Sequence, residues 1–154
     1  MRLKQGCRLF WLALIAFALD RATKVWSLTL EGGVEAVPEL LNFRPVRNYG
    51  AAFGVFAGKQ ALLSALVLLL CAAVLFLLLR FARMPVSARV GLWLIFAGGL
   101  SNLYDRLRYG YVIDFFEFGF VRFPVFNVAD VCVVVGCALT FIAVLRAEGG
   151  KPHG

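Results

Sequence analysis

The chain has 154 residues, 62% of them hydrophobic and only 16% charged, with a formal net charge of +7. A soluble domain is nearer half apolar and a quarter charged, so this balance excludes an ordinary water-soluble globule and points to a polytopic membrane protein. The positive charge does not point to nucleic acid: Arg and Lys stand mostly at the ends of apolar segments, where the positive-inside bias puts them, and not in one basic, aromatic-interleaved patch.

A basic start (Arg2, Lys4, Arg8) leads into an apolar run from Leu9 to Leu19. A secretory signal peptide looks like this, and Ala16-Phe17-Ala18 imitates a cleavage site. The helical pattern nevertheless continues to Trp26 and three more apolar segments follow, which predicts a retained helix over about residues 9–27. Residues 28–60 are polar and irregular. Their short alternations, Leu41-Asn42-Phe43-Arg44 and Val46-Arg47-Asn48-Tyr49, predict strands in an extramembrane cap. Gly50 to Phe56 is small and apolar and is expected to dip into the membrane interface.

Residues 61–79 carry no charge and predict the second helix. Arg80, Arg83 and Arg89 bracket a short connection to a third helix over 86–104. A polar and aromatic outer loop follows over 105–124. Pro124 suits the first turn of a fourth helix over 125–145, and the Gly-rich tail from Arg146 is expected to fray. The whole reads as one integral membrane domain, residues 1–154, of the all-α class: four transmembrane helices with a small β-containing extracytoplasmic cap. Arg2, Lys4 and Arg8, the Arg80/Arg83/Arg89 connection, and Arg146 with Lys151 then share one side, the cytoplasm. Both termini lie inside. The outer loops contain Arg44, Arg47, Arg106, Arg108 and Arg122, offset by Glu31, Glu35, Glu39, Asp105, Asp114 and Glu117.

Asp114 and Asp130 stand among Val, Ile and Phe, where an ionised carboxylate is costly without a partner or a task. Asp130 has no basic residue within a turn. Asn102 and Arg106 are four residues apart and share a helical face, as do Asn127 and Asp130, three apart. Asp20 and Lys24, at i and i+4, form either a neutralised pair near a helix end or part of the same site. Asn102 alone could serve only to bond a neighbouring helix, and Asp105 beside Arg106 reads as interface charge. At about 1.5 Å rise per residue, these polar positions converge on the outer half of the bundle.

Two neighbouring carboxyls in a low-dielectric site cannot both ionise easily, so one keeps a proton near neutral pH. The ionised member can take a proton from water while the other donates to a scissile carbonyl oxygen. This chemistry calls for no metal and no cofactor. The one histidine, His153, is in the tail, and HExxH is absent, which leaves little material for a zinc site or a Ser–His pair. Cys7, Cys71, Cys132 and Cys137 show no CxxC spacing and read as small packing residues. Two other classes stay open on residues alone. One is a small proton-coupled membrane carrier using buried Asp residues, expected to hold its acids near the midplane. The other is a scaffold in which Asp130 only glues helices together.

Five segments carry a resemblance: Asp20-Arg21-Ala22-Thr23-Lys24; Asn48-Tyr49-Gly50-Ala51-Ala52-Phe53; the run from Gly98 to Arg106; Val112-Ile113-Asp114-Phe115; and Phe126-Asn127-Val128-Ala129-Asp130. In this order and over most of the chain they resemble lipoprotein signal peptidase, the bacterial signal peptidase II family. The resemblance implies an aspartic endopeptidase of the bacterial inner membrane. Its partners would be diacylglyceryl-modified prolipoprotein signal peptides and membrane lipid, with cleavage just before the lipidated cysteine near the periplasmic face. It implies Asp114 and Asp130 as the catalytic pair. Asn102, Arg106 and Asn127 would shape the site, and Asp20, Lys24, Asn48 and Gly50 would support it or the substrate, with no metal.

Overall fold

The computed structural model describes residues 2–50, 58–81 and 84–149, without the side chains of residues 2–8 and 148–149. The expected interfacial dip after Gly50, the motif residues Ala51, Ala52 and Phe53, the side chains of Arg2, Lys4, Cys7, Arg8 and Arg83, and the tail beyond residue 149 lie outside the described residues. The described residues form four helices, α1 (Arg2–Ser27), α2 (Gln60–Arg80), α3 (Val86–Tyr109) and α4 (Val128–Gly149), and three strands, β1 (Val34–Val37), β2 (Leu41–Asn48) and β3 (Val112–Phe118). By length and composition α2, α3 and α4 can cross a membrane. Over its described residues the first helix, although 26 residues long, is not among these, and it carries Asp20, Arg21 and Lys24 towards its C-terminal end. The expected mostly helical membrane architecture with a small sheet is therefore present.

Helix α3 is the centre of the bundle and packs on α4, α2 and α1. Small residues permit this, because helices in lipid gain little from hydrophobic association and need close van der Waals contact. A Cβ on Gly91 would stand 2.5 Å from the Gly136 carbonyl oxygen, and one on Gly98 would run into the Ala129 carbonyl oxygen. Gly99 faces the other way, with Cys71 of α2 3.0 Å from where its Cβ would be. Adjacent glycines thus let two different helices approach α3. Ala13, Ala16 and Ala97 seat α1 by the same means, while Val74, Leu78, Leu92 and Ile95 fill the α2–α3 seam.

The third helix runs five residues past its expected end at Tyr104. Asp105, Arg106 and Arg108 read as loop in the sequence, yet Arg106 and Arg108 in the last turn favour the negative helix terminus. Gly110 then stops the helix in a left-handed conformation (φ 78°), its N–H donating to the Arg106 carbonyl at 3.1 Å. The fourth helix starts three residues later than Pro124 implied. Phe126 is extended and bridges Phe116, exchanging backbone hydrogen bonds of 3.0 and 2.8 Å, so Pro124 precedes the helix and does not open it.

The expected outer loop 105–124 is likewise more ordered than its composition implied, since β3 lies inside it. The sheet is antiparallel in the order β1-β2-β3, with Val46 opposite Asp114 and Asn48 opposite Val112. Its register slips between Phe43 and Val46, where Pro45, which has no N–H to give the ladder, is accommodated. Trp26 at the top of α1 meets Phe43 and Phe115 edge-on, with centroids 5.1 and 6.3 Å away, and so seats the sheet on the bundle. Gly98→Ala is expected to cost about 1–3 kcal/mol by forcing α3 and α4 apart. Thermal unfolding in detergent checks this, and an unchanged unfolding temperature would contradict it.

Candidate active site

The start of α4 leaves backbone N–H groups that need acceptors. Asn127 takes the N-cap position: its Oδ1 accepts the Asp130 N–H at 2.9 Å, and Asp130 Oδ2 accepts the Asn127 N–H at 3.1 Å. This reciprocal exchange is a capping box made with an amide and a carboxylate. The Ala129 N–H between them goes to Asp20 Oδ1 of α1, at 2.8 Å. Asn127 and Asp130 therefore meet across a helix terminus and not along a helical face, which corrects the geometry inferred from their spacing.

The free end of the Asn127 amide reaches Asp114. Its Nδ2 donates to Asp114 Oδ1 at 2.6 Å, and Asn48 Nδ2 donates to the other oxygen at 2.8 Å. Strand β3 delivers Asp114 because Gly110 turns the chain back over the bundle and the buried run Val112–Phe115 holds the strand down. A second amide joins the acids from α3: Asn102 Nδ2 donates to Asp130 Oδ1 at 2.8 Å, while its Oδ1 accepts from Asn127 Nδ2 at 3.1 Å and from Lys24 Nζ at 2.7 Å. Gly50 donates its N–H to Asn48 Oδ1 at 2.9 Å, and its carbonyl accepts from Arg106 Nη2 at 3.2 Å. Asp114, Asp130, Asp20, Lys24, Asn48, Gly50, Asn102, Arg106 and Asn127 thus share one connected cluster.

Beneath the two acids lies a cluster of paired charges. Lys24 Nζ stands 3.0 Å from Asp20 Oδ2 and 2.8 Å from Asp105 Oδ2, and Arg21 bonds both of the same carboxylates. Asp105, read as interface charge, is 0% exposed and also accepts the Ile113 N–H at 3.2 Å. Ser101 donates to Asp20 at 2.7 Å. A signal for Asp105 and Ser101 was available: Gly98, Ser101, Asn102 and Asp105 repeat at the spacing of one helical face. Ending the helix at Tyr104 hid it. Arg21, with one neighbour in Asp20, carried no comparable signal.

The electrostatics follow from this enclosure. Burial, then the charge of Asp130, push the Asp114 carboxyl up to about 7, against the pull of its bonds from Asn48 and Asn127. At the sheet surface, Arg44 grips Glu117 with two bonds and holds that carboxyl below its ordinary range, which neutralises that arginine. Asp130 is half-buried. Near neutrality, one carboxyl that can hold a proton beside another acid is suited to general acid–base work.

A family profile described as signal peptidase (SPase) II matches residues 12–146. The chain belongs to the signal peptidase II family. It is similar to the lipoprotein signal peptidase of Clostridium acetobutylicum, 38% identical over 89% of this chain and 93% of that protein. That of Psychromonas ingrahamii is 37% identical over 97% of this chain and 91% of its own length. Among solved structures, a bacterial membrane enzyme determined by the in meso method at 2.3 Å resolution superposes with a TM-score of 0.88, at 29% identity. The match covers 96% of this chain and 93% of that one. Membership makes the chain a membrane protease.

Because the folded Asp114 carboxyl titrates near 7 and an unfolded one near about 3.9, the folded state binds more protons between those values. Stability is then fully present below about pH 4 and falls as pH rises towards 7. Thermal unfolding across this window is expected to show that slope in the parent and a flatter one in Asp114→Asn. Identical slopes would contradict the assignment.

Proposed function

We propose that this membrane protease removes the signal peptide from diacylglyceryl-modified prolipoproteins, cutting just before the lipidated cysteine, with Asp114 and Asp130 as its catalytic pair. One observation carries the assignment: a single buried amide, Asn127, bonds both carboxyls, donating to Asp114 through its side chain and to Asp130 through its backbone. In the reaction, the ionised acid takes a proton from water as the water oxygen bonds to the scissile carbonyl carbon. The protonated acid gives its proton to the carbonyl oxygen. Collapse of the tetrahedral intermediate breaks the C–N bond, the amine leaves with the first proton, and the second acid recovers its own. Arg106, held to the Asn102 and Gly50 carbonyls at 3.3 and 3.2 Å, adds positive charge beside the developing oxyanion.

In this reading α1 is a fourth transmembrane helix in a single domain spanning residues 1–154. Its charges do not argue against that, since Asp20 and Lys24 are buried among partners and not turned to lipid. Over residues 9–19 its exposed side chains are apolar, Phe10, Trp11, Leu14, Ile15 and Leu19 among them. The basic ends favour a cytoplasmic position for both termini, which in this reading puts the sheet and the acids at the periplasmic face of the inner membrane. A signal peptide is itself a membrane-crossing helix with its cleavage site at the outer surface, which is where the pair would meet it. Lipid around the bundle would carry the diacylglyceryl group of the substrate.

Purified protein is expected to cleave a diacylglyceryl-modified prolipoprotein peptide. Asp114→Ala and Asp130→Ala should each lower the rate by about 10³-fold or more while the fold survives. Retained cutting in either variant would refute the pair, and solute flux in proteoliposomes without cleavage would favour a carrier.

A further inference from the structure

The charge cluster below the acids contains two carboxylates, Asp20 and Asp105, and two cations, Arg21 and Lys24, each cation touching both carboxylates. It sums to zero, and its members are fully buried apart from Arg21, whose side chain is 19% exposed and lies over the Tyr104 ring at 5.1 Å. Such a cluster is costly to bury, and much smaller apolar side chains hold α3 against α1 one turn further in. Its contacts lead in one direction. Lys24 has only donors, so its 2.7 Å bond to Asn102 Oδ1 obliges Nδ2 of that amide to face Asp130. The same Oδ1 takes Asn127 Nδ2, which leaves Asn127 Oδ1 for the Asp130 N–H and directs its donor to Asp114. Asp20 takes up the Ala129 N–H and so ties the cluster to the helix terminus that carries Asp130.

We propose that Asp20, Arg21, Lys24 and Asp105 form a neutral four-charge block that positions the two acids, with Lys24 setting the direction of the Asn102–Asn127 amide chain and the Arg21–Asp105 pair balancing the charge beneath it. These are positioning residues, since none need touch substrate. With the block neutral, the charges bonded around the two acids among the described residues reduce to Arg106 and the acids themselves, which balance when the pair shares one proton. The α2 helix has no charge before Arg80, β2 contributes the neutral Asn48, and Arg47 of β2 lies over the Tyr111 ring.

The inference rests on Asp114 and Asp130 being the reacting acids, and a charge-balance cycle separates the two ideas. Asp105→Asn leaves the block at +1, which favours ionised acids, so both limbs of the pH profile of kcat/KM are expected to move to lower pH. Arg21→Gln leaves it at −1 and moves both limbs to higher pH, each by about 1 unit. The double variant, neutral again, is expected to return close to the parent profile. Arg21 sits at the edge of the block, so its substitution leaves the core packed, and thermal unfolding in detergent verifies the fold of each protein. Lys24→Met removes the group that orients Asn102 and is expected to lower kcat by about 10²-fold with little change in KM. Limbs that stay fixed in variants that still cleave, or that shift the same way in both single variants, would overturn the block's role and leave the catalytic pair standing. Cleavage by Asp114→Ala would instead remove the pair.

Discussion

The amide of Asn127 is the constraint on which the site depends. It caps α4, is capped in return by Asp130, and spends its donor on Asp114. One side chain therefore completes the end of a membrane helix and fixes the relation between a helical acid and a strand acid. An alanine there would leave the helix uncapped and the Asp114 carboxylate short of a donor at once, so the site's geometry and the fold's integrity are not separable at this position.

Around that amide the fold works as a set of supports. Glycines at positions 91, 98 and 136 bring α3 and α4 into backbone contact, which places Asn102 within reach of Asp130. Gly110 ends α3 and sends the chain back as β3 with Asp114 facing inward. The sheet, seated on Trp26, closes over the acids and adds Asn48 from its middle strand. Burial is what keeps the Asp114 carboxyl near neutrality, and Asp130 adds to it. Membership of the signal peptidase II family gives this arrangement its setting. The cluster gives the chemistry a location at the same end of the helices as the sheet.

What was legible in the sequence was the chemistry of single positions. Asp114 and Asp130 stood out because nothing apolar around them could pay for their charge, and α2 was plain from its uncharged leucine run. Element ends were less legible. Charged residues at 105–108 resembled a loop, and only the left-handed Gly110 reveals that they finish a helix. Pro124 resembled a helix start, whereas Phe126 was committed to pairing with Phe116. Those two boundaries matter because they conceal the site's logic: Asn127 acts as a cap, and Asp105 belongs to a buried face. The pairing of Arg21 with Asp105 joins residues 84 apart in the chain, a relation that local periodicity does not contain.

The proposed chemistry requires Asp114 and Asp130 to titrate as a coupled pair. Carbon-13 NMR of the Asp114 carboxyl, in the parent and in Asp130→Asn, measures this directly. A titration at about 7 is expected in the parent and a clearly lower value once the neighbouring charge is gone. A carboxyl that titrates near about 4 in both proteins, as a free aspartate does, would contradict it.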